Sequence, residues 1–165
     1  SFTGLRIGSA TAKGLGLALK KPLLAVPTVE ALAYNLWGSS ALICPIMDAR
    51  RSQVYTGLYY VEEELRTEKE PCAMDMHELI SELNARGERT VFLGDGVPVY
   101  ESLIRRELTV AYSFAPPQSS RQRAASVAAL GELYMKQGRM VTAADFKPEY
   151  LRKPQAERER EGIEL

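Results

Sequence analysis

Two short segments hold the residues that could contact an anion, a nucleotide or a partner. Asp48-Ala49-Arg50-Arg51 sets a carboxylate beside a pair of guanidiniums, and a guanidinium can grip a phosphate through two parallel hydrogen bonds. A solvated hairpin turn explains the same residues, so an anion or partner contact and a plain turn stand side by side. Gly94-Asp95-Gly96 is the second segment. There Asp95 could accept from a ribose hydroxyl, or it could serve as N-cap of the helix that follows; its charge is unhelpful beside phosphates. No catalytic residue and no metal ligand set is expected. The one histidine, His77, precedes Glu78, but Ile80 and Ser81 follow where a zinc peptidase needs a second histidine. Hydrolysis has no visible apparatus, and His77 reads as a surface residue. Gly8-Ser9-Ala10-Thr11-Ala12-Lys13-Gly14 superficially resembles a phosphate loop. It lacks Gly before the lysine and Ser or Thr after it, so the backbone cradle is not specified.

The bulk numbers narrow the setting. The chain has 165 residues, 45% hydrophobic and 25% charged, as in a globular protein of one ordinary or two small domains. Lys plus Arg equals Asp plus Glu at 21 each. Without a general basic field, tight autonomous nucleic-acid binding is not expected, though a local basic patch is compatible with the count. Cys44 and Cys72 lie far apart with no Cys-x-x-Cys, which fits a reducing cytoplasm. No apolar run approaches the roughly 18 residues of a membrane span. Ser1-Phe2-Thr3-Gly4 reads as a turn leading straight into a helix, and residues preceding this point are expected to be missing.

The elements that must position these segments follow from periodicity. Leu5–Leu19 has helical spacing with Thr3 as N-cap, and Pro22 stops it; residues 23–26 read as a short buried strand. Residues 29–37 form a second helix capped by Thr28, and residues 38–40 a linker. Residues 42–48 and 54–60 read as paired strands joined by Arg50-Arg51-Ser52, with 63–69 as a third, solvated edge strand. Helices are expected at 76–85, 97–106 and 123–136, and strands at 90–93 and 109–112, with a core drawing on Leu42, Ile46, Leu93, Val127 and Leu130. Residues 157–161 belong to a charged tail. The order is α-β-α, then β-β-β-α-β-α-β-α. The second run is the unit of the actin-like, ribonuclease H-like α/β folds, and the first run is the last three elements of the same unit. The expected organisation is 1–40 as the end of an incomplete first copy, 41–140 as the second copy, and 141–165 as a C-terminal segment.

Four segments carry a family resemblance. Residues 1–8 resemble the S-F-T-G-L-R-I-G segment of the TsaB (YeaZ) family, and residues 48–55 its D-A-R-R-x-x-V-Y segment. Gly94-Asp95-Gly96 matches the family's strand-end turn, and Pro148-Glu149-Tyr150-Leu151-Arg152 is similar to its P-x-Y-L-R. The resemblance implies a non-catalytic, cytoplasmic subunit that supports TsaD, with the small ATPase TsaE, in putting threonylcarbamoyl on the adenosine beside the anticodon of tRNA. It implies a homodimer in isolation, tRNA met only through the complex, no membrane, and no intrinsic cofactor, with ATP or ADP placed at the TsaD interface. An enzyme of the same fold is the competing reading, either a glycoprotease-like metallopeptidase or a nucleotide-dependent kinase. Actin-like kinases carry D-x-G where this chain has Asp48-Ala49-Arg50, and that departure speaks against kinase chemistry.

The first helix bears small residues at Gly4, Gly8, Ala12 and Gly16, one every four positions, with Leu5 beside them. Such a stripe admits another helix closely. Because each Gly costs about 1 kcal/mol against Ala in a helix, a compensating contact is expected. Packing on the chain's own sheet and a seam between subunits both supply one; the resemblance favours the seam.

Overall fold

The computed structural model describes residues 2–152. It divides into two units, Leu24–Val141 and a smaller one made of the described residues up to Leu23 together with those from Thr142. The charged tail at 157–161 lies outside the described residues.

The smaller unit holds α1, Phe2–Leu19. Thr3 lies inside this helix rather than capping it. Its C-terminus closes through Lys20 in the left-handed region (φ 52) and a Lys21 N–H to Gly16 carbonyl bond of 2.9 Å, the usual device for satisfying a last-turn carbonyl. Lys13 Nζ donates to the carbonyls of Ala144 and Phe146, both at 3.1 Å. A Cβ added to Gly16 would lie 3.1 Å from Ala143 Cβ, Leu23 Cδ2 and the Lys21 carbonyl.

The larger unit begins in β1 (Leu23–Leu24), shorter than the 23–26 expected, and α2 (Thr28–Ala33), where Pro27 rather than Thr28 stands at the N-cap. A turn of 3-10 helix, Tyr34–Leu36, follows. The strands β2 (Ser39–Arg50), β3 (Gln53–Val61), β4 (Leu65–Asp75), β5 (Thr90–Leu93) and β6 (Tyr112–Phe114) form one sheet in the order β4-β3-β2-β5-β6. Ser39 and Ser40, expected in a linker, already belong to β2. β2, β3 and β4 pair antiparallel in sequence, whereas β2–β5 and β5–β6 are parallel. The parallel pairs need crossovers, supplied by α3 (Met76–Arg86) and α4 (Val97–Glu107). α5 (Ala124–Lys136) and the short β7 (Met140–Val141) complete the unit. This is the β-β-β-α-β-α-β-α order of the actin-like unit.

Alternation along β2 builds a core on each face. Leu42, Cys44 and Ile46 pack with Val54, Leu79, Leu83, Phe92 and Ile104 under α3 and α4, while Ile43 packs with Val29, Leu32, Tyr59 and Leu93 under α2. α5 is tied to α2 by a buried Tyr134 hydroxyl donating to the Glu30 carboxylate, and to the 3-10 turn by Ser126 Oγ on Asn35 Oδ1 at 2.6 Å. Leu42, Ile46, Leu93 and Leu130 are buried as the pattern demands, but Val127 is 39% exposed, because α5 turns Leu130, Gly131 and Tyr134 inward instead. The long edge strand β4 exposes Arg66, Glu68 and Glu70 at alternate positions. Among the described residues no helix is long and apolar enough to cross a membrane.

Candidate functional site

Parallel pairing of β2, β5 and β6 brings their C-terminal ends to one side of the sheet, and the two segments singled out by sequence meet there. The β2–β3 connection is a tip in which Arg50, Arg51 and Ser52 all have positive φ, 61, 53 and 59. Non-glycine residues pay roughly 1–2 kcal/mol each in this region, so the surroundings must hold them. Asp48 Oδ1 accepts from Arg50 N at 2.9 Å, Met76 N donates to the Ser52 carbonyl at 2.8 Å, and the Tyr100 hydroxyl reaches both Asp48 Oδ1 and the Gln53 carbonyl at 3.3 Å. The tip leaves both arginine side chains exposed.

The β5–α4 turn is pressed against this tip's base. Gly94 has φ 112, and a Cβ there would collide with the Ile46 carbonyl. Gly96 N donates to that same carbonyl at 3.0 Å, and a Cβ on Gly96 would stand 2.9 Å from it. Both glycines are therefore required by the passage of β2. Asp95 does not cap α4, whose N-cap is Gly96; its Oδ1 accepts instead from Asp48 N at 3.3 Å. The structure thus gathers Asp48, Arg50, Arg51, Gly94, Asp95 and Gly96 into one patch.

A groove of about 300 Å³ opens beside it, lined by Leu32, Met47, Gly94, Asp95, Ser120, Arg121 and Gln122. Ser120 accepts the Gly94 N–H through its carbonyl (3.1 Å) and hydroxyl (3.2 Å), and Asn35 Nδ2 clamps the loop by donating to the carbonyls of Ser119 (2.9 Å) and Arg121 (2.7 Å). Tyr100 and the 120–122 loop were not singled out by sequence. The signal available for the loop was its place after a strand of the parallel set, where such folds put their crevice. Burial, and then the Asp48 charge, push the Tyr100 phenol above its usual range.

The N–H groups of Gly94, Gly96 and Val97, which would cradle a phosphate, are each bonded to protein oxygens. Asp95 adds a negative charge at the lip. His77 sits elsewhere, exposed, with Nδ1 2.9 Å from Glu107 Oε2. Among the described residues no three His, Cys, Asp or Glu side chains gather as metal ligands would.

The small-residue stripe of α1 is divided by the structure. Gly16 faces its own unit, while Gly8 is exposed and a Cβ there would meet nothing within 4 Å. Gly4 and Leu5 are exposed and Ala12 is half-buried. Sequence reading overlooked Ile7, Leu15, Leu17 and Leu19, each 58–64% exposed. Their signal was present, since apolar residues all round a helix demand burial on more than one side.

Known proteins share this architecture. Residues 1–160 match the family model described as TsaD, tRNA N6-adenosine threonylcarbamoyltransferase. A Bacillus subtilis (strain 168) protein named tRNA threonylcarbamoyladenosine biosynthesis protein TsaB is 32% identical over 161 residues, which span 95% of this chain and 67% of that one. The protein of the same name from Escherichia coli (strain K12) is 38% identical over 66 residues, 38% of this chain and 28% of its own. In three dimensions the chain is similar to YeaZ from Pseudomonas aeruginosa, with TM-score 0.71 and 24% identity over 91% of this chain and 70% of that one. This likeness shows the shared fold.

Proposed function

This chain belongs to the TsaD-type family, in its TsaB (YeaZ) branch, and we propose that it is a non-catalytic subunit supporting a TsaD homologue in the threonylcarbamoylation of tRNA. The observation that carries this reading is the likeness to the TsaB protein of Bacillus subtilis over 95% of this chain. Helix α1, with open space beside Gly8, offers the close-approach surface that a partner helix requires. Gly4, Leu5, Gly8 and Ala12 then line the seam. The same helix serves a homodimer when the partner is absent, and a TsaE homologue joins the complex. ATP or ADP belongs at the interface with the TsaD homologue; the N–H groups of Gly94, Gly96 and Val97 in this chain's own β5–α4 turn are bonded to protein oxygens. tRNA enters through the assembled complex, in the cytoplasm.

The test is co-purification with the TsaD homologue followed by a tRNA-modification assay, for the natural sequence and for Gly8→Leu. Overpacking a close helix contact costs about 1–3 kcal/mol, which is roughly 5- to 150-fold in affinity. Gly8→Leu should weaken pairing and lower modification in parallel while circular dichroism stays unchanged. Undiminished pairing by a folded Gly8→Leu would move the interface elsewhere. Metal-dependent turnover by the chain alone, abolished by His77→Ala, would favour the enzyme reading instead.

A further inference from the structure

The cations of the larger unit fall into two populations. Arg66, Lys69, Arg86, Arg105, Arg106 and Lys136 each have a carboxylate partner at 2.7 to 3.4 Å, and Arg139 lies over the Tyr134 ring. Arg50, Arg121 and Arg123 have no ion pair among the described residues, and all are exposed. Arg89 likewise has no ion pair among the described residues; it lines the cavity at the opposite end of β2 with Ser39 and Glu88. The three others gather where the strands of the parallel set end: Arg50 on the hairpin tip, Arg121 on the groove lip, and Arg123 just before α5.

The carboxylates near them are engaged by the backbone. Asp48 accepts from Arg50 N, Asp95 from Asp48 N, and Asp75 from His77 N as the cap of α3. Their positions are fixed by those bonds, while the guanidiniums extend outward from two separate loops. A single buried phosphate is poorly served here, because the N–H groups of Gly94, Gly96 and Val97 are bonded to protein oxygens and Asp95 adds a negative charge. Forked cations spaced along a rim match instead an extended polyanion, whose phosphates recur along a backbone and are held without reading bases.

We propose that the rim formed by Arg50, Arg121 and Arg123 docks the phosphate backbone of RNA. The inference rests on the reading of the chain as a subunit in tRNA modification, and gives it a direct contact with tRNA inside the complex. The contact orients RNA and performs no chemistry.

The experiment measures binding of unmodified tRNA to the complex with the TsaD homologue across a salt series. The natural sequence is compared with Arg50→Gln/Arg121→Gln, with Arg121→Gln alone, and with the paired-arginine control Arg66→Gln/Arg105→Gln. Each lost phosphate contact should lower the slope of log K against log salt by about 0.7–0.9. The double variant should therefore lose about 1.5 in slope and on the order of tenfold in affinity near 0.15 M salt. Arg121→Gln, which leaves the strained tip intact, should lose about half that slope, and the control should lose nothing. Equal slopes for all four proteins would overturn the proposal, as would displacement of tRNA by millimolar ATP with an ATP affinity that falls in the same variants. A double variant that pairs more weakly with the TsaD homologue, while the complex it does form binds tRNA with the natural slope, would assign the rim to protein contact and also overturn the proposal. Failure of the natural chain to pair with the TsaD homologue would instead sink the functional reading beneath it. A complex that forms and modifies tRNA while the variants bind alike would sink only the rim.

Discussion

The sheet end at Gly94 and the helix α1 solve opposite problems. At the sheet end, backbone meets backbone: Gly94 and Gly96 lie on the Ile46 carbonyl, Ser120 takes the Gly94 N–H, and Asp95 takes the Asp48 N–H. Almost every polar group has an internal partner, so what faces outward is charge on arginine side chains. α1 shows the reverse. Its internal ties within the smaller unit are few, chiefly Lys13 and Gly16, and what faces outward is apolar. One region has a backbone dictated by the fold and a charged rim; the other leaves apolar side chains uncovered by the described residues.

The largest expected break in this contrast is Gly94→Ala. A Cβ at φ 112 against the Ile46 carbonyl combines backbone strain with overpacking, each worth about 1–3 kcal/mol. Urea denaturation should show a loss of about 3 kcal/mol or more, or no folded larger unit. A loss under about 1 kcal/mol would mean that β2 can retreat from the turn. Gly8→Ala, in the open region of α1, should act in the other direction. With nothing near the new Cβ, only helix propensity changes, and α1 should gain up to about 1 kcal/mol, read as slower amide exchange along the helix. Faster exchange would mean that Gly8 is already in contact in the free protein.

The smallest effect calibrates surface charge. Glu107 is held below the usual carboxylate range first by Arg106 and then by His77. A depressed folded pKa contributes stability above the unfolded value near 4.3 and loses it as pH falls. The stability difference between the natural sequence and Glu107→Gln should therefore shrink as pH falls below about 5. A difference that grows on acidification would reverse the assignment.

What sequence could and could not reveal follows the same division. Local pattern located nearly every element of the larger unit, because its strands alternate and its helices carry apolar stripes. Periodicity alone puts the last strand too early, at 109–112. Asn84 explains the shift: its Oδ1 accepts from Thr109 N (2.8 Å) and Oγ1 (3.0 Å), and its Nδ2 donates to the Glu107 carbonyl. The chain is thereby held out of the sheet until Tyr112, where Phe114 meets Phe92. Such a tertiary clamp leaves no periodic trace. Likewise Asp48-Ala49-Arg50-Arg51 and Gly94-Asp95-Gly96 could each be located by residue type. Their union depends on the parallel register of Ile43 with Val91 and Pro45 with Leu93, which no local window contains. Asp95 was open to two roles because its partner, a backbone N–H on β2, lies a strand away.

The charged border of β4 has a consequence for the behaviour of many copies together. Exposed main-chain rows invite a second sheet to add on, and repeated addition builds ribbons. Here Arg66, Glu68 and Glu70 crowd one border and Pro71 withholds a donor from it, while β6 at the other border is only three residues long. Neither side offers a long uncharged template. Edge-to-edge addition of copies at this sheet is therefore disfavoured on both of its borders.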